Sequence, residues 1–124
     1  MWPWRSRVRV PSLTLTRITN FEMPRAAFSD LINGDKPVLV DFYADWCQPC
    51  HILTPIVARI AKAYEGRVKV VKVNVDKNQK VAQQYGVRGI PTLILFHKGQ
   101  PVWRQVGVVP ENVIQAALDR VLSS

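Results

Sequence analysis

The sequence predicts an α/β domain, with a central mixed five-stranded sheet flanked by four helices on both faces. Three observations lead there. Strand-like and helix-like segments alternate along most of the chain. One short run, residues 37–43, is apolar almost throughout, as a strand covered on both faces must be. Two strand-like runs a hairpin's length apart, followed by a helical pattern, close the chain. At 124 residues, 48% hydrophobic and 21% charged, it has the size and balance of one folded domain, which excludes disordered and fibrous classes. No apolar stretch approaches the roughly 20 residues that span a bilayer, so no membrane partner is expected.

Residues 13–18 alternate apolar and polar side chains, the pattern of an edge strand with one buried face. Pro24 opens a helix that carries Ala27, Phe28, Leu31 and Ile32 at helical spacing and stops at Asn33-Gly34-Asp35. Residues 37–43 form the central strand, and Asp41 is its one charge. From 47 to 64, Ile52, Leu53, Ile56, Val57, Ile60 and Ala61 keep the helical period, with Pro55 inside to kink it. Glu65-Gly66 ends that helix, 68–75 is a β-branched strand, and 78–85 is a short polar helix closed by Gly86. Residues 92–96 and 101–106 are strands joined across 97–100. Pro110 and Glu111 then open a last helix, with Val113, Ile114, Ala117, Leu118, Val121 and Leu122 on one face.

The net charge of +8 is unevenly placed: Arg5, Arg7, Arg9 and Arg17 stand in the first 17 residues without an acid. A solvated tail is the commoner meaning of such a run, so residues 1–12 are read as a basic, disordered extension and 13–124 as the domain. A nucleic-acid partner is not expected. Organelle targeting by residues 1–17 is the weaker reading, because Pro3 and Pro11 oppose an amphipathic helix and no secretory apolar region follows the arginines.

Both cysteines fall in Trp46-Cys47-Gln48-Pro49-Cys50, between the central strand and the helix it feeds, where open α/β sheets hold their sites. Three chemistries compete for them. Zinc needs four ligands, and Cys47, Cys50, His51 and His97 are a poorly spaced set. A structural disulfide closing so small a loop removes little entropy from the unfolded chain. A redox dithiol fits the position best. Cys47 at a helix start has its thiolate favoured by unpaired amides and the macrodipole. Cys50, one turn on and facing inward, is expected to be less exposed and to act as the resolving thiol. Pro49 stiffens the first turn without losing an internal hydrogen bond.

Residues 38–50, Val38-Leu39-Val40-Asp41-Phe42-Tyr43-Ala44-Asp45-Trp46-Cys47-Gln48-Pro49-Cys50, resemble the active-site strand and loop of the thioredoxin family. So do Lys72-Val73-Asn74-Val75-Asp76, Tyr85-Gly86-Val87-Arg88-Gly89-Ile90-Pro91-Thr92 and Val106-Gly107-Val108, and the resemblance runs from about 13 to 122. It implies a thioredoxin fold and a monomeric, cytoplasmic protein-disulfide reductase. Such a protein holds no bound cofactor beyond a redox-active Cys47–Cys50 disulfide and is recharged by NADPH through thioredoxin reductase. Asp41 matches a buried aspartate that takes the proton of Cys50, and Lys72 the lysine that tunes it. Pro91 matches a cis-proline opposite the dithiol, and the Ile90 backbone beside it offers an edge for an extended substrate. Trp46, Gly89, Ile90, Val106, Gly107 and Val108 match an apolar rim that receives disulfide-containing clients. Gln48 stands where glycine is commoner; a hydrogen bond from it to the Cys47 thiolate would make the protein more oxidising, while its bulk would equally shield the sulfur and hinder a standard reductase, so the sequence sets no direction. A disulfide oxidant or isomerase, and a binding module acting without turnover, are the alternatives. His51 stands where the family often has lysine and is read as an exposed bystander.

Overall fold

A computed structural model of the chain describes residues 16–19 and 25–123. Its elements run β1 (Thr16–Thr19), α1 (Arg25–Ile32), β2 (Val38–Tyr43), α2 (Gln48–Ala63), β3 (Lys69–Asn74), α3 (Gln79–Gln84), β4 (Thr92–His97), β5 (Gln100–Val106) and α4 (Glu111–Leu122). The expectations for residues 1–12, for the strand start at 13–15 and for Pro24 lie outside the described residues.

The sheet is five-stranded and mixed, in the order β1-β3-β2-β4-β5, with β2 in the middle. β3 pairs parallel with both β1 and β2, whereas β4 lies antiparallel to β2 and β5 to β4. β2 is buried along its whole length, which accounts for its almost unbroken apolar sequence.

Side chains alternate across the pleat, so β2 serves two cores. Val38, Val40 and Phe42 pack with Val71, Val73, Ile94 and Phe96 against Phe28 and Ile32 of α1 and Val81 of α3. On the other face Leu39, Val70, Leu93 and Leu95 pack against Leu53, Val57, Ile60 and Ala61 of α2 and Ile114, Ala117 and Leu118 of α4. By this alternation Asp41 and Lys72 belong to the α2 side. Burying a Leu- or Phe-sized side chain contributes about 1.5–3 kcal/mol, so the two cores carry most of the fold's stability. Helices α2 and α4 are also tied by the Tyr64 hydroxyl, which donates to Asp119 Oδ1 at 2.7 Å, and by an Arg59–Glu111 ion pair at 2.8 Å.

Helix α2 continues through Pro55. Ile52, expected on its buried face, is 56% exposed, because the inward stripe runs through Cys50, Leu53, Val57, Ile60 and Ala61 and passes it by. The β4–β5 connection is a two-residue turn with positive φ at both positions, Lys98 (55°) and Gly99 (83°), the handedness that matches strand twist. Gly99 donates its N–H to the Ile32 carbonyl at 3.1 Å, and a Cβ there would collide with the Asn33 side chain.

Candidate active site

The chain leaves the centre of the sheet at Tyr43, turns through Ala44-Asp45-Trp46, and enters α2 at Gln48. Cys47 is the N-cap, with extended backbone (φ −90°, ψ 111°), and its Sγ accepts the N–H of Cys50 at 3.2 Å. One of the amides that a helix start leaves unpaired therefore points at this sulfur. Cys47 and Cys50 form a disulfide, their Cα atoms 5.3 Å apart. The expected difference in exposure between them is absent in this oxidised form: Cys47 is 3% exposed and Cys50 2%. Tyr43, Ala44, Val75 and Ile90 close over both. Gln48 and Pro49 are exposed in the first turn. The donor that reaches Cys47 Sγ is the Cys50 amide rather than the Gln48 side chain considered from the sequence. Among the described residues no group of three or more His, Cys, Asp and Glu is placed to hold a metal ion.

Asp41 lies deeper, on β2, fully buried, and neither carboxylate oxygen has a hydrogen-bond partner. Burial pushes its pKa up to about 6, against the opposing pull of Lys72. Lys72 is its register neighbour on β3. The lysine is buried too; its Nζ donates to Thr54 Oγ1 at 3.0 Å and stands 4.7 Å from the centre of the Tyr43 ring. A solvated strand lysine is thereby excluded. Burial, and the nearby Asp45 charge second, raise the Tyr43 phenol above its ordinary value.

Around the dithiol the surface is apolar. Trp46 is 70% exposed, so it is not a core residue, and its Nε1–H donates to Asp76 Oδ2 at 2.8 Å. Asn74 Oδ1 in turn accepts the amides of Asp76 (2.9 Å) and Lys77 (3.3 Å), which shapes the turn after β3. Gly89 is exposed, Ile90 half-buried and Pro91 buried, with a cis Ile90–Pro91 peptide. Thr92 Oγ1 donates to the Gly89 carbonyl at 2.5 Å, and the Gly107 amide to the Pro91 carbonyl at 2.8 Å. That second bond brings the 106–108 segment against the proline loop. Gly107 has φ 92°, a conformation that side chains disfavour, and Val106 and Val108 flank it in the open. His51 is exposed with Nε2 2.8 Å from the Asp45 carbonyl, so it clips the loop that carries Trp46.

Three residues near the site were not singled out from the sequence. Ile52 was counted as core. Asp76 ends the family-like stretch after β3, and its bond to a tryptophan 30 residues away leaves no local pattern. Thr54 had one available signal, a hydroxyl four residues after Cys50, where it donates to the Cys50 carbonyl at 3.0 Å.

The family model described as Thioredoxin matches residues 20–120. Thioredoxin 1 of Nostoc sp. is 50% identical over 93 residues, 75% of this chain and 87% of the relative. Thioredoxin of Porphyra purpurea is 46% identical over 94 residues, covering 76% and 88%. Among solved structures, a mutant thioredoxin from Halobacterium salinarum superposes with a TM-score of 0.76 at 35% identity, covering 87% of this chain and 91% of that one. Thioredoxin of Malassezia sympodialis gives 0.76 at 30%, covering 86% and 90%.

Proposed function

Because the chain belongs to the thioredoxin family and is a protein dithiol–disulfide oxidoreductase, a reductase of protein disulfides, we propose a division of labour among its site residues. In the reduced protein the Cys47 thiolate, favoured by the Cys50 amide and the α2 N-terminus, attacks one sulfur of a client disulfide. A Cys47–client bond forms, the client S–S bond breaks, and the departing sulfur takes its proton from solvent. Cys50 then gives its proton to Asp41 and attacks Cys47 Sγ. The Cys47–Cys50 bond forms as the Cys47–client bond breaks, the released client sulfur takes a proton from solvent so that the client leaves as a dithiol, and the protein is left oxidised by two electrons. A carboxyl with pKa about 6 is mostly ionised at neutral pH yet basic enough to accept that proton. Lys72 tunes it.

The observation that carries this reading is the capped sulfur: Cys47 Sγ accepts a helix-start amide while a buried, unpartnered carboxylate lies on the α2 side of the same sheet. Trp46, Ile52, Gly89, Ile90, Pro91, Val106, Gly107 and Val108 receive the client, an extended segment pairing along the Ile90 backbone. Gln48 and Pro49 set the potential. Electrons come from NADPH through thioredoxin reductase, and the protein works as a monomer in the cytoplasm.

The test is a coupled insulin-reduction assay with NADPH and thioredoxin reductase, run beside Gln48→Gly. NADPH oxidation that depends on both insulin and the protein is expected, at a different rate in the variant. Inactivity of both proteins, with two accessible thiols demonstrated, refutes the recycling scheme.

A further inference from the structure

Between Lys72 and Cys50 stands a hydroxyl whose hydrogen-bond directions are fixed by its partners. An ammonium only donates and a carbonyl only accepts. Lys72 Nζ lies 3.0 Å from Thr54 Oγ1, and Thr54 Oγ1 lies 3.0 Å from the Cys50 carbonyl oxygen. The hydroxyl proton therefore points to Cys50, and a lone pair receives the lysine. The chain Lys72–Thr54–Cys50 joins β3 to the first turn of α2, across the sheet face on which Asp41 lies. Asp41 sits one strand away in register with Lys72, and its two oxygens have no hydrogen bond, so this ammonium bonds to Thr54 rather than to the carboxylate.

We propose that Thr54 is a positioning residue for the resolving half-reaction: it holds the Lys72 ammonium to the main chain of Cys50 and so keeps the Asp41 carboxylate available as a base. The proposal rests on the assignment of Asp41 and Cys50 given above. Without the hydroxyl, a buried ammonium turns to the nearest acceptor lacking a partner, Asp41. A direct pair favours the charged carboxylate and lowers the pH at which it loses its proton. The other titratable groups on this side are Tyr43 on β2, Cys47 at the α2 N-cap, Cys50 on α2, and two pairs that link α2 to α4, Tyr64 with Asp119 and Arg59 with Glu111; across β4 the register neighbour Leu93 is apolar.

The experiment isolates resolution. Reduced protein is mixed with excess Ellman's disulfide; Cys47 releases one thionitrobenzoate and becomes a mixed disulfide, and attack by Cys50 releases the second. The rate of that second release is followed from about pH 4.5 to pH 8 for wild type, Thr54→Val and Thr54→Ser, each checked by urea unfolding to be folded. The acid limb is expected to move about one pH unit lower in Thr54→Val, a tenfold change in proton concentration, and to stay in place in Thr54→Ser. In a Lys72→Met background Thr54→Val should add no shift. Coincident limbs in Val and wild type, an equal shift in Ser, or a shift that persists without Lys72 would overturn the proposal. Failure of the underlying reading looks different: the wild type itself would release no second thionitrobenzoate, or Cys50→Ser would release it undiminished.

Discussion

Asp41 carries a stability cost, and the burial that causes it also supports the proposed role as a base. Its carboxyl titrates at about 6 in the folded protein against an ordinary value of 3.8, because burial disfavours the charge. Folding therefore favours the protonated form. The contribution is fully present below pH 3.8 and is lost as pH rises through about 6. Asp41→Asn, neutral throughout, should be more stable than wild type at neutral pH by up to about 3 kcal/mol, with the gain vanishing near pH 4. Urea unfolding at the two pH values checks this, and a gain equal at both would exclude burial of the charge as its cause. The same variant should slow release of a mixed disulfide. Asp41 was legible in the sequence because a lone acid in an apolar run has little other reason to be there. Thr54 was not, because its partner Lys72 is 18 residues away and becomes a neighbour only once β3 pairs with β2.

Among elements, α2 and the β4–β5 hairpin show what local sequence can and cannot specify. The start of α2 was readable from a cysteine at the cap position and a proline in the first turn. Its buried stripe was readable only approximately. Apolar residues spread over a wider arc than the sheet covers, so Ile52 fell outside it. The hairpin turn was placed correctly, but the contact of Gly99 with Asn33 depends on α1 ending beside it. Gly99→Ala places a Cβ on that contact at a positive φ and should destabilise the fold by about 1–2 kcal/mol. Urea titration measures it, and no loss would mean that the turn relaxes freely.

At the scale of the molecule, the sheet order brings three separate segments to one face: the Trp46 loop, the Ile90–Pro91 loop and residues 106–108. The alternation of strands and helices was enough to predict the architecture. It could not show that Trp46 stands 70% exposed, because an isolated tryptophan in sequence is more often covered. Clients are proposed to dock on this face through apolar contact. Ile52→Asp and Val106→Asp should each lower kcat/KM for insulin about tenfold, the equivalent of one lost aliphatic contact, and leave the reaction with a small disulfide unchanged. Equal losses on both substrates would place the fault in the dithiol rather than in docking.

The central claim is that Cys47 attacks and Cys50 resolves, and mass spectrometry of trapped intermediates tests it most directly. Reduced Cys50→Ser protein, incubated with insulin, should accumulate a mixed disulfide whose fragments map to Cys47, whereas Cys47→Ser should accumulate none. Trapping through Cys50 in the second variant, at a yield matching the first, would contradict the account.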